Sequence, residues 1–198
     1  MKKLWILCTV FLLTACQAVE LPDFMVYDFK NDSKINLKTS NISVTSNVHY
    51  DLQEPFIEYK MPVTPEQALK HWAQNRFVAV SSDTPVETYI IIEKASMQER
   101  EKPSDKWYIL DNVEYRLDFQ LKIVFVLNQN TISERTVGGY EKRSLPMKSS
   151  LADKEEAWSD MMNDMVKKVN KKLTNDLPSY FVQEENQTLQ QNKRPFEF

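Results

Sequence analysis

Glycine is nearly absent: Gly138 and Gly139 are the only two in 198 residues, and they are adjacent. Phosphate-cradling loops need glycine at several spaced positions, so Walker A and dinucleotide-binding fingerprints are excluded. Histidine is as scarce. His49 and His71 have no partner at ligand spacing, and a zinc site would need further ligands converging from elsewhere. His71 is expected on the surface of a helix and His49 in a loop, with no metal and no cofactor bound. Cysteine occurs twice, as Cys8 and Cys16, so everything after residue 16 lacks both a disulfide and a thiol nucleophile. No nucleophile-elbow pattern is present. The carboxylate pairs Glu155–Glu156 and Glu184–Glu185 are sequence neighbours, and adjacent residues on a helix do not face each other. The expectation is a non-enzyme with no catalytic residue. Lys and Arg number 25 against 28 Asp and Glu, a net charge of −3, so the chain has no basic field for nucleic acid.

What is present is concentrated at the N-terminus. Lys2 and Lys3 precede the apolar run Leu4 to Leu13, and Leu13-Thr14-Ala15-Cys16 follows. The run is a secretory-signal length, far short of the roughly 20 residues that span a bilayer. The Leu-small-small-Cys ending resembles the bacterial lipoprotein signal, or lipobox. That resemblance implies cleavage before Cys16 and acylation of Cys16 by palmitate-type chains on sulfur and on the new amine. One acyl chain binds reversibly and two anchor stably, so such a protein stays on its membrane. Gln17 follows the cysteine. By resemblance to lipoprotein sorting, in which Asp at that position favours the inner membrane, Gln17 implies the outer membrane, facing the periplasm. Removal of residues 1–15 takes two lysines with it and leaves 183 residues of net charge −5. With no disulfide in an oxidising compartment, stability has to come from core packing.

The rest of the chain divides into a tether, residues 16–34, one domain, residues 35–181, and a polar Gln/Asn-rich tail, residues 182–198, expected to be disordered. Ile35 to Tyr50 alternates with a change of phase between Leu37 and Ile42, which predicts a bulge or two short strands. Pro55 to Pro62 reads as extended. Thr64-Pro65-Glu66-Gln67 is a helix start with a capping box, and Ala68, Leu69, Trp72, Ala73 and Phe77 form its apolar face, with Trp72 as a core anchor. Residues 86–96 predict a central strand and Gln98 to Lys106 a solvated loop. From Val113 to Leu127 every odd position is apolar, and Glu114, Arg116, Asp118, Gln120 and Lys122 alternate with them, so one face is buried and one is wet. A strand that long, about 50 Å, must twist, bend or outrun its neighbours. Thr131 to Arg143 returns after a turn at Asn128-Gln129-Asn130, with a bulge or bend expected at the two glycines.

A second helix opens at Ser150 and stops near Leu177, before Pro178. Its stripe is Trp158, Met161, Met162, Met165, Val166, Val169 and Leu173; Lys167, Lys168, Lys171 and Lys172 suit the negative end of its dipole. The fold class is therefore α+β: an antiparallel or mixed sheet of about four to six strands on two helices, the second long and C-terminal.

The stretches Pro62-Val63-Thr64-Pro65, Trp72-Ala73-Gln74-Asn75-Arg76 and Arg143-Ser144-Leu145-Pro146 make the chain similar to a family of uncharacterised alphaproteobacterial envelope lipoproteins. In element order and lipid anchor it more distantly resembles the auxiliary lipoproteins of envelope ABC transport systems. The expected function is a non-catalytic binding or scaffold role in the cell envelope, with the membrane held through lipid on Cys16 and an unidentified envelope protein as partner. The alternative is a lipid-transport accessory protein with an apolar groove at Met161, Met162 and Met165.

Overall fold

The computed structural model describes residues 34–81, 83–104 and 111–182; Cys16, the signal, the tether up to residue 33 and the tail from residue 183 lie outside them. In chain order the elements are β1 (Ile35–Leu37), β2 (Asn41–Ser46), a 3-10 turn (Glu58–Lys60), α1 (Pro65–Arg76), β3 (Phe77–Ala79), β4 (Val86–Lys102), β5 (Asn112–Leu127), β6 (Asn130–Pro146), α2 (Leu151–Asp176) and a second 3-10 turn (Ser179–Phe181). Four strands form one mixed sheet in the order β2-β4-β5-β6, in which β2 runs parallel to β4 and the remaining pairs are antiparallel. β1 and β3 form a separate parallel pair. This is the α+β class expected from the sequence.

The phase change after Leu37 marks two strands in two different sheets. Ile35 and Leu37 are buried in β1, and the chain then switches sheets through Thr39, whose hydroxyl donates to the Val86 carbonyl at 2.7 Å. β4 contains the same kind of phase change. Its register against β5 shifts between Ile92 and Lys94. The inserted residue turns an even-numbered core set, Ile90 and Ile92, into an odd-numbered one, Ala95 and Met97, all of them buried.

Several expectations are corrected. Gln98 to Lys102 continue β4 instead of forming a loop, and Lys102 pairs with Asn112. The stretch reads as a loop because β2 ends opposite Ile92, leaving the far half of β4 half-wet and free to carry charge. The segment read as extended, 55–62, contains the 3-10 turn. Phe77 opens β3 instead of closing α1. Gly138 and Gly139 carry no bulge; the irregularity in this hairpin lies between Phe125 and Val126. The glycines serve close approach. A Cβ on Gly138 would sit 3.0 Å from the Phe119 carbonyl oxygen, and one on Gly139 would sit 3.2 Å from the Phe119 ring.

The core is one apolar layer between sheet and helices. The odd positions of β5 from Val113 to Phe125 are buried, as the alternation predicts. Trp72 is fully buried and meets Phe77 edge-on at 5.6 Å, while Phe125 stacks on Phe181 at 3.9 Å. Both helices start as the sequence indicates. Gln67 N–H donates to Thr64 Oγ1 at 3.2 Å and Thr64 N–H to Gln67 Oε1 at 2.9 Å. At α2, Asp153 N–H donates to Ser150 Oγ and Ser150 N–H to the Asp153 carboxylate, a complete box with Asp in place of Glu. The α2 lysines correct the dipole expectation, because none lies in the last turn. Lys172 instead donates to the Gly138 carbonyl at 2.6 Å, and Lys168 pairs with Glu141, so they latch α2 onto β6.

Gly138→Ala is expected to cost about 1–3 kcal/mol, because the backbone oxygen it meets cannot yield as a side chain would. Thr64→Ala should cost about 1 kcal/mol from loss of the cap. Chemical denaturation of the two variants checks both, with the glycine substitution the more damaging.

Candidate functional site

The proposed lipid-attachment residue, Cys16, lies outside the described residues. The two histidines take the places expected of them. His49 is exposed after β2 with its ring nitrogen 3.1 Å from the Asn47 carbonyl, and His71 is exposed on α1. Among the described residues no cluster of His, Cys, Asp and Glu is arranged to hold a metal ion. None of their helices is long and apolar enough to cross a membrane.

The methionine stripe is core. Met161, Met162 and Met165 are all buried against the sheet in the same cluster as Leu117, Leu121 and Trp72. A cleft that reaches Met162, lined by Met61, Pro62, Val63, Glu155, Trp158, Ser159 and Met162, has a volume of about 10 Å³. A single water fills such a space, and an acyl chain does not enter it.

The wet face of the sheet neutralises itself. Arg116 donates through Nε and Nη2 to the two carboxylate oxygens of Asp118, both at 2.9 Å, and lies 4.7 Å over the Tyr140 ring. That guanidinium, more than the nearby Lys94, holds the Asp118 carboxyl below its usual range against the opposing effect of burial. Lys102 at 2.7 Å and Lys142 at 3.8 Å flank Glu114, Lys122 meets Glu134 at 2.7 Å, and Gln120 donates to Glu93 at 2.5 Å. Exposed pairs of this kind contribute at most about 1 kcal/mol each, so the arrangement chiefly keeps the face solvated.

Three polar clusters were not legible beforehand. Glu58 is 3% exposed in the 3-10 turn, where its Oε1 accepts the Met97 N–H at 2.7 Å and its Oε2 has no partner among the described residues. Ile57 N–H donates to the Met97 carbonyl at 3.0 Å and Glu99 N–H to the Pro55 carbonyl at 2.8 Å. Residues 55–58 thus strap the edge of β4 that β2 leaves uncovered. Glu99, behind the strap, accepts from the Tyr115 hydroxyl at 2.7 Å and stands 4.0 Å from Lys60 and 3.9 Å from Lys154. Burial first, and that hydrogen bond second, push the Tyr115 hydroxyl well above its ordinary range. Asn170 is the third. Its Oδ1 accepts from Trp72 Nε1 at 3.2 Å and from Arg76 Nε at 3.0 Å, joining α2 to α1. The sequence offers Asn170 only as a polar residue beside an apolar stripe, which is too common a pattern to single out.

Comparison with protein-family models and with curated proteins finds no match. Among solved structures, the chain is similar to a minor lipoprotein from Acinetobacter baumannii, at 14% identity and a TM-score of 0.41 over 75% of this chain and 98% of that one. It is also similar to a putative neuraminyllactose-binding hemagglutinin homolog from Helicobacter pylori, at 17% identity and a TM-score of 0.42 over 82% and 94% of the two chains. The rare lipoprotein B of Shewanella oneidensis aligns at 11% identity and a TM-score of 0.36 over 68% and 94%. Likeness at this level carries no functional argument.

Burial raises the Glu58 carboxyl above the ordinary carboxylate range, outweighing the stabilising backbone N–H groups of Glu58 itself and of Met97. A raised pKa in the folded state means this group favours folding in acid, and that its contribution is lost as pH climbs through the raised value. Glu58→Gln keeps the acceptor for Met97 and removes the buried charge. The variant's stability relative to wild type should therefore be greatest at neutral pH and shrink as pH falls below the raised pKa. Paired denaturation curves from pH 4 to pH 8 measure the difference, and a difference independent of pH would count against the assignment.

Proposed function

We propose that the chain is a lipid-anchored outer-membrane lipoprotein facing the periplasm, with a non-catalytic binding or scaffold role in the cell envelope. One observation carries the reading: Leu13-Thr14-Ala15-Cys16 ends a signal-length apolar run preceded by Lys2 and Lys3. Gln17 supports the outer over the inner membrane. The non-catalytic reading draws support from the chemistry-bearing residues, since His49 and His71 sit on a loop and a helix and the carboxylates of the wet face are engaged by cations. In the alternative reading, an accessory lipoprotein of a lipid-transport system, an apolar groove lies at Met161, Met162 and Met165. These side chains are in the core, so that reading has lost its proposed site. A partner is then met on the surface of the domain.

The test is the full chain in a bacterial envelope, with and without Cys16→Ala. Wild type should incorporate labelled palmitate and sediment with the outer membrane. The variant should take up no label, keep residues 1–15 and lose any crosslinked envelope partner that depends on the anchor. Wild-type protein without acyl groups on Cys16, or cut elsewhere, would overturn the proposal.

A further inference from the structure

Both ends of the described domain emerge at one pole. Lys34 donates through Nζ to the Asn75 carbonyl at the close of α1, and the chain enters β1 directly after it. At the other terminus Val182 bridges Leu37, and Lys38 N–H donates to the Phe181 carbonyl at 2.8 Å. The parallel register sets Asn36 beside Val78, and Val80 N–H donates to the Leu37 carbonyl at 3.0 Å. Side chains alternate across a strand, so Asn36, Lys38, Val78 and Val80 share the face turned away from buried Ile35, Leu37 and Phe77. Val78 is 38% exposed and Val80 39%, and Tyr180, one residue from the Lys38 contact, is 62% exposed. The opposite pole lies a full α2 away, where Leu151 begins a helix of 26 residues, about 39 Å long.

Scattered apolar residues on a surface are ordinary. These differ in what is attached beside them. The 17 residues between Cys16 and Lys34 reach about 60 Å at full extension, so the anchor alone would let the domain hang clear of its membrane. Yet that connection is not a polar spacer throughout. It includes Leu21, Phe24, Met25, Val26, Tyr27 and Phe29, and aromatic residues of this kind favour the bilayer interface. A tethered surface also meets its target at an effective concentration of order millimolar, so a contact too weak to hold a free protein becomes populated.

We propose that the outward face of the β1–β3 pair, with Val78 and Val80 on it and exposed Tyr180 at the same pole, rests on the lipid surface that holds Cys16. The inference depends on the lipid-anchor reading above. The contact is apolar, with Lys38 reaching outward from its edge and Tyr180 presenting an amphipathic ring. A mature chain of net charge −5 is not drawn to anionic headgroups, so added salt, which only screens their repulsion, does not release this apolar contact. The opposite pole, with Leu151, is thereby turned to the periplasm.

The cysteine inventory supplies the experiment. Once residues 1–15 are removed and Cys16 is acylated, a single introduced cysteine is the only free thiol. Full-length chains carrying Val78→Cys, Val80→Cys or Leu151→Cys are processed in cells, labelled in their own membranes with an environment-sensitive fluorophore, and challenged with a headgroup-depth lipid quencher or aqueous iodide. Labels at 78 and 80 should lose fluorescence to the lipid quencher and resist iodide, at low and high salt alike. The label at 151 should do the reverse. Positions 78 and 80 as open to iodide as 151 would overturn the proposal. So would shielding from both quenchers, which would mean that protein, such as residues 21–29 of this chain, covers the face. The chain with no introduced cysteine reports separately on the anchor: if it takes up label, Cys16 is a free thiol, and the anchor reading and this inference fall together.

Discussion

The structure depends on a single apolar plane, the inward face of β5 from Val113 to Phe125. Every other element is placed by what it must cover. β4 and β6 extend that face on either side, α2 lays its Trp158-to-Leu173 stripe on it, and α1 closes the remainder with Leu69 and Trp72. A chain without disulfides in its folded body, and with two glycines, has few other means of fixing its shape. The cost of an internal void is correspondingly high, since packing is the main source of stability and loses both transfer and cavity energy when a large side chain is cut back. That condition also explains why the methionines are core. Their flexible side chains fill the irregular gaps between the sheet and the helix.

Polar groups inside this frame act as clamps at the seams. Asn170 joins the two helices, Glu58 closes the strap over the half of β4 that β2 does not reach, and Glu99 draws Tyr115, Lys60 and Lys154 to one corner. Their acceptor capacity is used unevenly: Asn170 Oδ1 serves two donors, whereas Glu58 leaves one oxygen without a partner among the described residues. The strap is therefore the more weakly satisfied of the seams.

Much of the fold was legible because its signals are local. The period-two run of β5, the Thr64 and Ser150 caps and the α2 stripe each sit within a few turns or pairs of chain, and each formed as read. What was not legible depends on distant partners. The bulge at residue 93 appears in sequence as a broken alternation, and only its pairing with β5 shows that the core side is preserved. Residues 98–102 look like a loop because the strand that would bury them stops at Ser46. The two glycines look like a bend, and their actual constraint is the Phe119 backbone and ring across the hairpin. Candidate sites divide in the same way. Cys16 is marked by contiguous sequence, whereas Glu58, Glu99 and Asn170 gain their roles from residues 39, 16 and 98 positions away.

The latch formed by Lys168 and Lys172 bears on how copies of this chain tolerate one another. Among the described residues β6 is the last strand of its sheet, and its outer row of carbonyls is a template on which another chain's strand can form. At the middle of that row, Lys172 occupies the Gly138 oxygen and Lys168 stands over Tyr140, so the open edge meets an approaching strand with ammonium groups in place of free acceptors. Molecules confined to a plane collide far more often than molecules in bulk. Should the proposed lipid anchor hold copies of this chain in one, a charged guard along the exposed strand separates a crowded monolayer from a fibre.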